Sequence, residues 1–363
     1  MKAIFSILIL AGCFMACTSA GTERNRSVPA DVLSESSHSI QDTVHLAFVG
    51  DVMPGTTYPK KKLPYDDGKN LFRDVKSLLN SADIVAGNIE GVLADTGTTT
   101  KKNDAINYAF RIPVRYGAIL RDAGFTFLSM ANNHTFDFGL PGVESTEKVL
   151  SENGIGYAGI TGRKESVVIE KNGLRYGFCA VGHNAYTMKH GNRKAVARTI
   201  KKLKEQADIV IVSFHGGAEG TSYRHLPIGK EMFLGEDRGD LRAFAHFCID
   251  SGADVVYGHG PHVVRAVELY KNHFIAYSLG NFCTPKGINI TGISGYAPVL
   301  QLWISQSDGQ FIKGKINSFI QKYGEGPRKD TTNAVAKEIR SLTSTDIKNS
   351  HVIISNDGTI TKR

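Results

Sequence analysis

HLAFVGDVMPG (residues 45–55) is the stretch that decides the reading of this chain. Residues 45–50 form an apolar run with the character of a β-strand, and the run ends abruptly in Asp51, before the turn residues Pro54 and Gly55. Open α/β sheets build their sites just beyond the carboxyl ends of strands, so a carboxylate at this point is placed either for a cation or for a turn or helix cap. The same grammar recurs along the chain. Apolar residues 83–86 enter GNIEG (87–91), residues 126–130 enter ANNHTFDFG (131–139), residues 208–214 enter SFHGGAEG (213–220), and residues 254–257 enter GHGPHVV (258–264).

Between these strands lie helical patterns at residues 71–79, 114–123, 143–153, 194–206 and 241–251, so strand, loop and helix alternate. A β-rich middle interrupts them. Residues 166–170 and 175–181 flank Asn172-Gly173, a hairpin turn signal. Residues 274–278 form another strand that enters SLGNF, and residues 298–305 and 311–318 suggest a last antiparallel pair. Alternation early and hairpins late indicate an α/β fold with mixed sheets. The expected division is residues 1–17 as a lipoprotein signal peptide, 18–43 as a flexible tether, 44–322 as the main domain, and 323–363 as a small element. That last element would hold a helix at 332–342 and a hairpin at Asn356-Asp357-Gly358.

The signal reading rests on Lys2, the apolar run 4–10 and the small residues that follow, a run too short to span a bilayer. Cys13 in LAGC or Cys17 in FMAC would carry the lipid, which places the chain in a bacterial cell envelope facing away from the cytoplasm. The tether is rich in Ser, Thr, Glu, Asn and Arg. Cys179 and Cys248 read as small buried hydrophobes, and the odd cysteine count in the body (with Cys283) argues against a disulfide framework. The chain has 363 residues, 41% hydrophobic and 21% charged, which fits a globular domain with a sizeable core. Its net charge of +8 is spread out, and the lysines at 60–62 and 201–204 lack interleaved aromatics, so nucleic acid is not an expected partner.

The polar clusters supply Asp, Glu, Asn and His, which suit Mn, Fe, Zn or Mg, and no thiolate. From the residues alone, Asp51, Glu90, His215, His259 and His262 are candidate metal ligands. Gly-Pro between the last two fixes a tight turn, and Glu219 lies in the small-residue loop after His215. His134 is placed to protonate a leaving group and Asp137 to orient it or to cap a turn. Asn88 can ligate or stabilise its turn. Asn88, Asn132 and Arg224 are candidates for contact with substrate. His183, His190, His225, His246 and His273 lack neighbouring donors and read as surface or packing residues. The donors exceed one tetrahedral site, so one or two divalent ions are expected.

The order GDVM, GNIEG, NNHTFDFG, HGGAEG, GHGPHVV, with SLGNF downstream, resembles the CapA family, linked to poly-gamma-glutamate capsule synthesis, over residues 44–282. The resemblance implies kinship with calcineurin-like metallophosphoesterases and a four-layer α/β/β/α sandwich of the metallo-dependent phosphatase type. It implies Asp51 as first ligand, Glu90 near the bridging carboxylate, Asn133 and His134 as ligand and general acid, and His215, His259 and His262 as the remaining ligands. The chain departs from that pattern at Met53, which stands where those enzymes resemble Asp-x-His, and at Glu90 or Asn88, which stand for an Asp. Glu219 is the candidate replacement for the missing first-motif ligand. The expected function is a metal-dependent hydrolase of an anionic polymer or phosphoester, working with capsule assembly proteins. The alternative is a non-catalytic polymer-binding, export or assembly factor on a degenerate phosphoesterase fold.

Overall fold

The computed structural model describes residues 42–101 and 108–363. The signal, nearly all of the tether, Cys13 and Cys17 lie outside the described residues. Among the described residues no helix is long and apolar enough to cross a membrane.

Two mixed sheets carry the fold. The nine-stranded sheet runs Val352–Ile354, Thr359–Lys362, Phe311–Asn317, Val299–Ser305, Thr43–Val52, Ile84–Ile89, Phe127–Ser129 and Gly156–Ala158, and Asn281–Cys283 also pairs with Thr43–Val52. The six-stranded sheet runs Val267–Tyr270, His273–Ala276, Val255–His259, Ile209–His215, Leu174–Val181 and Ser166–Lys171.

The period-two alternation of the first strand explains how the sheets pack. Leu46 and Phe48 point into a core shared with the six-stranded sheet, whereas Ala47 and Val49 join a second core with Tyr116, Leu120 and Val149 from the helices Tyr116–Asp122 and Gly139–Glu152. Aromatic rings join the sheets: Phe127 stacks on Phe178 with centroids 4.1 Å apart, and Phe48 lies 4.8 Å from Tyr257. The helix Arg193–Lys204 buries Val196, Ile200 and Leu203, one stripe at helical spacing, and Asn192 caps it by accepting from the Ala195 amide. Asp240 caps Leu241–Asp250 in the same way through Ala243. In the hairpin, Asn172 (φ 53°) and Gly173 (φ 78°) both take the left-handed conformation that a two-residue turn of this kind needs. Cys179, Cys248 and Cys283 are free and buried.

Two expectations change. Residues 71–79 are helical only over Lys76–Leu79. The Asn70 and Leu71 carbonyls instead accept from the Arg328 guanidinium, each at 3.2 Å, so the first turns are completed by a distant cation. The C-terminal helix and hairpin form where expected, but they are built into the main fold. Thr359–Lys362 pairs with Phe311–Asn317, and Val335, Ala336 and Ile339 enter the shared core.

Register brings the polar strand ends together. Asp51 pairs with Asn88 on one side and Asn281 on the other, Asn88 pairs with Ser129, and His259 pairs with His215, all in parallel strands. Gly50 makes this possible, because a Cβ there would sit 1.9 Å from the Gly280 carbonyl oxygen. Gly50→Ala is therefore expected to lower unfolding stability by at least about 3 kcal/mol in urea melts, since the blocking atom is backbone and cannot rotate away.

Candidate metal centre

Asp51, His215 and His259 each offer a donor atom, and these atoms all lie within 4.8 Å of one another. All three residues are fully buried, and they are the one such group of three among the described residues. His215 Nδ1 lies 2.9 Å from His259 Nδ1 and 3.7 Å from Glu90 Oε2, and His259 Nδ1 lies 3.8 Å from Asp51 Oδ1. Asn88 links the carboxylates: its amide donates to Asp51 Oδ1 at 2.9 Å and to Glu90 Oε2. Asn132 donates to Asn88 Oδ1 at 2.9 Å and to the Ile89 carbonyl at 2.8 Å, so Asn88 and Asn132 act as braces of this loop.

His262 joins from a strained position, with φ 58° in the left-handed region. Its Nδ1 lies 3.0 Å from both Asp51 Oδ2 and Asn281 Oδ1. The Asn281 amide nitrogen donates to three carbonyls, of His262, Asn289 and Ser294, so its oxygen must be the acceptor here and His262 Nδ1 the donor. Burial works to lower the His262 pKa. The Asp51 hydrogen bond and charge outweigh it and raise it to about 10. Burial, then the Asp51 charge, push the Glu90 carboxyl well up. Burial, then His259, hold His215 well down, and burial lowers His259 to about 4 against the pull of Asp51. Neutral imidazoles at His215 and His259 are the state in which these two side chains ligate a cation.

The donor set fits a divalent ion. Glu90 Oε1, Asn133 Oδ1 and His215 Nε2 are buried without a hydrogen-bond partner, a costly arrangement that a cation's charge and coordination would relieve. Two residues singled out from sequence are engaged by other partners. Glu219 faces the cleft, but its Oε1 accepts from Arg238 Nη1 at 2.7 Å; Arg224 pairs with Glu338 at 3.2 Å. Met53 is wholly buried in the second core with Phe110 and Phe282.

Beside the donors, His134 Nδ1 lies 2.9 Å from Asp137 Oδ2, and its ring packs 4.5 Å from Phe110. The Phe110 amide donates to the same Asp137 oxygen at 2.7 Å, and Lys101 forms an ion pair with the other. His134 Nε2 is thereby left toward Glu90, 3.9 Å from its Oε1, and His134 lines a cleft of about 880 Å³ with Asn133, Tyr186, Glu219, Arg238 and His262.

Lys101, Asn281 and Arg238 are not singled out by the sequence, and His183 and His190 read there as surface or packing residues. His183 and His190 are buried, not superficial, and line a neighbouring cavity of about 690 Å³. His225, His246 and His273 do serve packing or surface pairs, with Asp346, Glu268 and the Asp254 carbonyl. Burial lowers the His183 pKa to about 3 and the His190 pKa to about 4. Both are neutral in the fold, while the unfolded chain binds protons near pH 6.5. Their share of stability is therefore present above that pH and is lost as pH falls from about 6.5 toward 4. In chelator-treated protein, denaturant melts should show this decline, and His190→Gln should flatten it by on the order of 3 kcal/mol.

All of these donors lie within residues 45–286, the span that matches the family described as "Bacterial capsule synthesis protein PGA_cap". The chain belongs to this family. Among curated relatives of the capsule-synthesis family, it is 30% identical over 319 residues to the capsule biosynthesis protein CapA of Bacillus anthracis, covering 83% of this chain and 72% of that protein. It is 29% identical over 300 residues to the PGA biosynthesis protein CapA of Bacillus subtilis, covering 78% and 72%. Among solved structures, a novel phosphatase from Mycoplasma pneumoniae is similar with a TM-score of 0.51 and 15% identity, covering 77% of this chain and 94% of that one. That likeness concerns the fold, which is of the metallo-dependent phosphatase type.

Proposed function

We propose that this PGA_cap family member is a metal-dependent hydrolase of capsule or poly-gamma-glutamate polymer metabolism, held at the cell envelope by a lipid on Cys13 or Cys17. The observation that carries the reading is the buried Asp51, His215 and His259 triad, with Glu90 beside it and unpartnered donor atoms around it. The names of the curated relatives support the polymer, and capsule assembly proteins are the proposed partners.

Asp51, His215 and His259, with Glu90, Asn133 and His262 at the edge, would hold one or two ions of Mn, Fe, Zn or Mg. A divalent ion supplies Lewis acidity and brings the pKa of bound water to about 7. The remaining work falls to the chain's own groups. Asp137 Oδ2 accepts from His134 Nδ1 and steadies the imidazolium, which leaves Nε2–H to protonate the leaving oxygen or nitrogen. Lys101 and the Phe110 amide fix Asp137 in turn.

The test is chelator-treated protein reloaded with Mn, Zn, Fe or Mg and assayed against phosphodiesters and poly-gamma-glutamate. Hydrolysis that requires metal is expected. Metal uptake with no bond cleaved would favour the second reading, a polymer-binding or assembly factor. The observation behind that alternative is Met53, buried in the core where the phosphoesterase pattern has a ligand.

A further inference from the structure

Arg238 sits in the wall of the same cleft, and its surroundings do not resemble those of an ordinary structural arginine. Its side chain is 4% exposed, yet both of its ion-pair partners are more accessible: Glu219, 23% exposed, accepts from Nη1 at 2.7 Å, and Glu236, 51% exposed, accepts from Nε at 3.0 Å. The guanidinium also lies 5.3 Å from the Phe233 ring centroid. The cation is buried and its anions are the more exposed partners.

Its backbone is fixed to the candidate centre. The Arg238 carbonyl accepts from the Gly217 amide at 2.9 Å, and a Cβ on Gly216 would stand 2.7 Å from that carbonyl oxygen. Gly216 directly follows His215, so the guanidinium is registered to a metal-donor strand and does not ride on a free loop. A buried guanidinium is costly without an anion, and its planar donors suit a carboxylate or phosphate. Glu219 and Glu236 provide that anion from within the chain.

Resting on the reading of this cleft as the substrate site, the geometry points to Arg238 as the residue that binds the anionic group of the substrate, with Glu219 as an internal stand-in displaced when that group arrives. An uncharged ligand gains nothing from the exchange, so the pair selects for a carboxylate or phosphate. Arg238 thereby takes a substrate contact of the kind expected from sequence at Arg224.

The test uses the chelator-treated full chain and isothermal titration with inorganic phosphate and with glutarate, so that neither probe is read through a metal. Whichever probe binds wild-type protein should bind Arg238→Gln on the order of tenfold to a hundredfold more weakly, and Arg238→Lys should lose less. Glu219→Gln, which removes the competing carboxylate from a half-buried position, should bind the probe severalfold more tightly. Tighter binding to phosphate supports a phosphoester substrate, and tighter binding to glutarate a carboxylate polymer. Unchanged affinity in Arg238→Gln, weakening in Glu219→Gln, or binding of neither probe at millimolar concentration would overturn the assignment. Metal uptake measured separately on wild-type protein decides the hydrolase reading, and its failure would leave the anion result standing.

Discussion

His215→Gln is expected to reduce tight metal uptake to background, a loss of more than about a hundredfold in affinity, while the protein stays folded. Removing residues that merely support ligands costs about 10–100-fold, and His215 is placed to be a ligand itself. Its Nδ1 lies 2.9 Å from His259 Nδ1 and 3.7 Å from Glu90 Oε2, and the side chain is fully buried, so solvent cannot take its place. Burial, then His259, hold the ring neutral, so Gln replaces one uncharged polar group by another of similar volume and the fold loses no ion pair. Elemental analysis after dialysis, paired with a denaturant melt, separates lost ligation from lost folding.

The second large effect concerns turnover, with metal retained. His134→Ala is expected to lower kcat by about 10²–10⁴-fold, the usual range for a lost general acid, with metal content unchanged. His134 lies outside the Asp51, His215 and His259 triad, and its nearest approach to the donor carboxylates is 3.9 Å. Asp137→Asn should fall between wild type and His134→Ala. An amide still lets Oδ2 receive the Phe110 hydrogen bond, but it cannot steady an imidazolium, and Lys101 loses its ion-pair partner and keeps only the Asn133 carbonyl, 2.9 Å away. Equal activity in His134→Ala would remove the proton-transfer role assigned to this dyad.

Much of this centre was legible in the sequence for a simple reason. A strand buried on both faces leaves an apolar run, and the first polar residue after it marks the sheet edge. Asp51, Asn88, Asn132, His215 and His259 announce themselves in that way, and Glu90 and His134 each follow two residues behind such a marker. The hairpin at Asn172-Gly173 was legible for a local reason, since the turn demands positive φ and those residues permit it. What escaped depends on distant partners. Arg328 takes the Asn70 and Leu71 carbonyls at the start of the helix expected at residues 71–79, from more than half a chain away. Glu219 follows His215 closely, and its small-residue loop suggests convergence. The backbone turns at Gly217 and Gly220 instead, and Arg238 claims the carboxylate. Asn281 and Lys101 carry no signal of their own, because an Asn in SLGNF and a Lys in a polar run acquire roles only from register and packing.

Crystals soaked in Mn²⁺ and examined by anomalous diffraction test the central claim most directly. A peak coordinated by Asp51, His215 and His259 at about 2.0–2.3 Å is expected, with Glu90 at or next to the coordination sphere. No peak at these residues, or an ion held by Glu219 with His215 and His259 turned away, would contradict it.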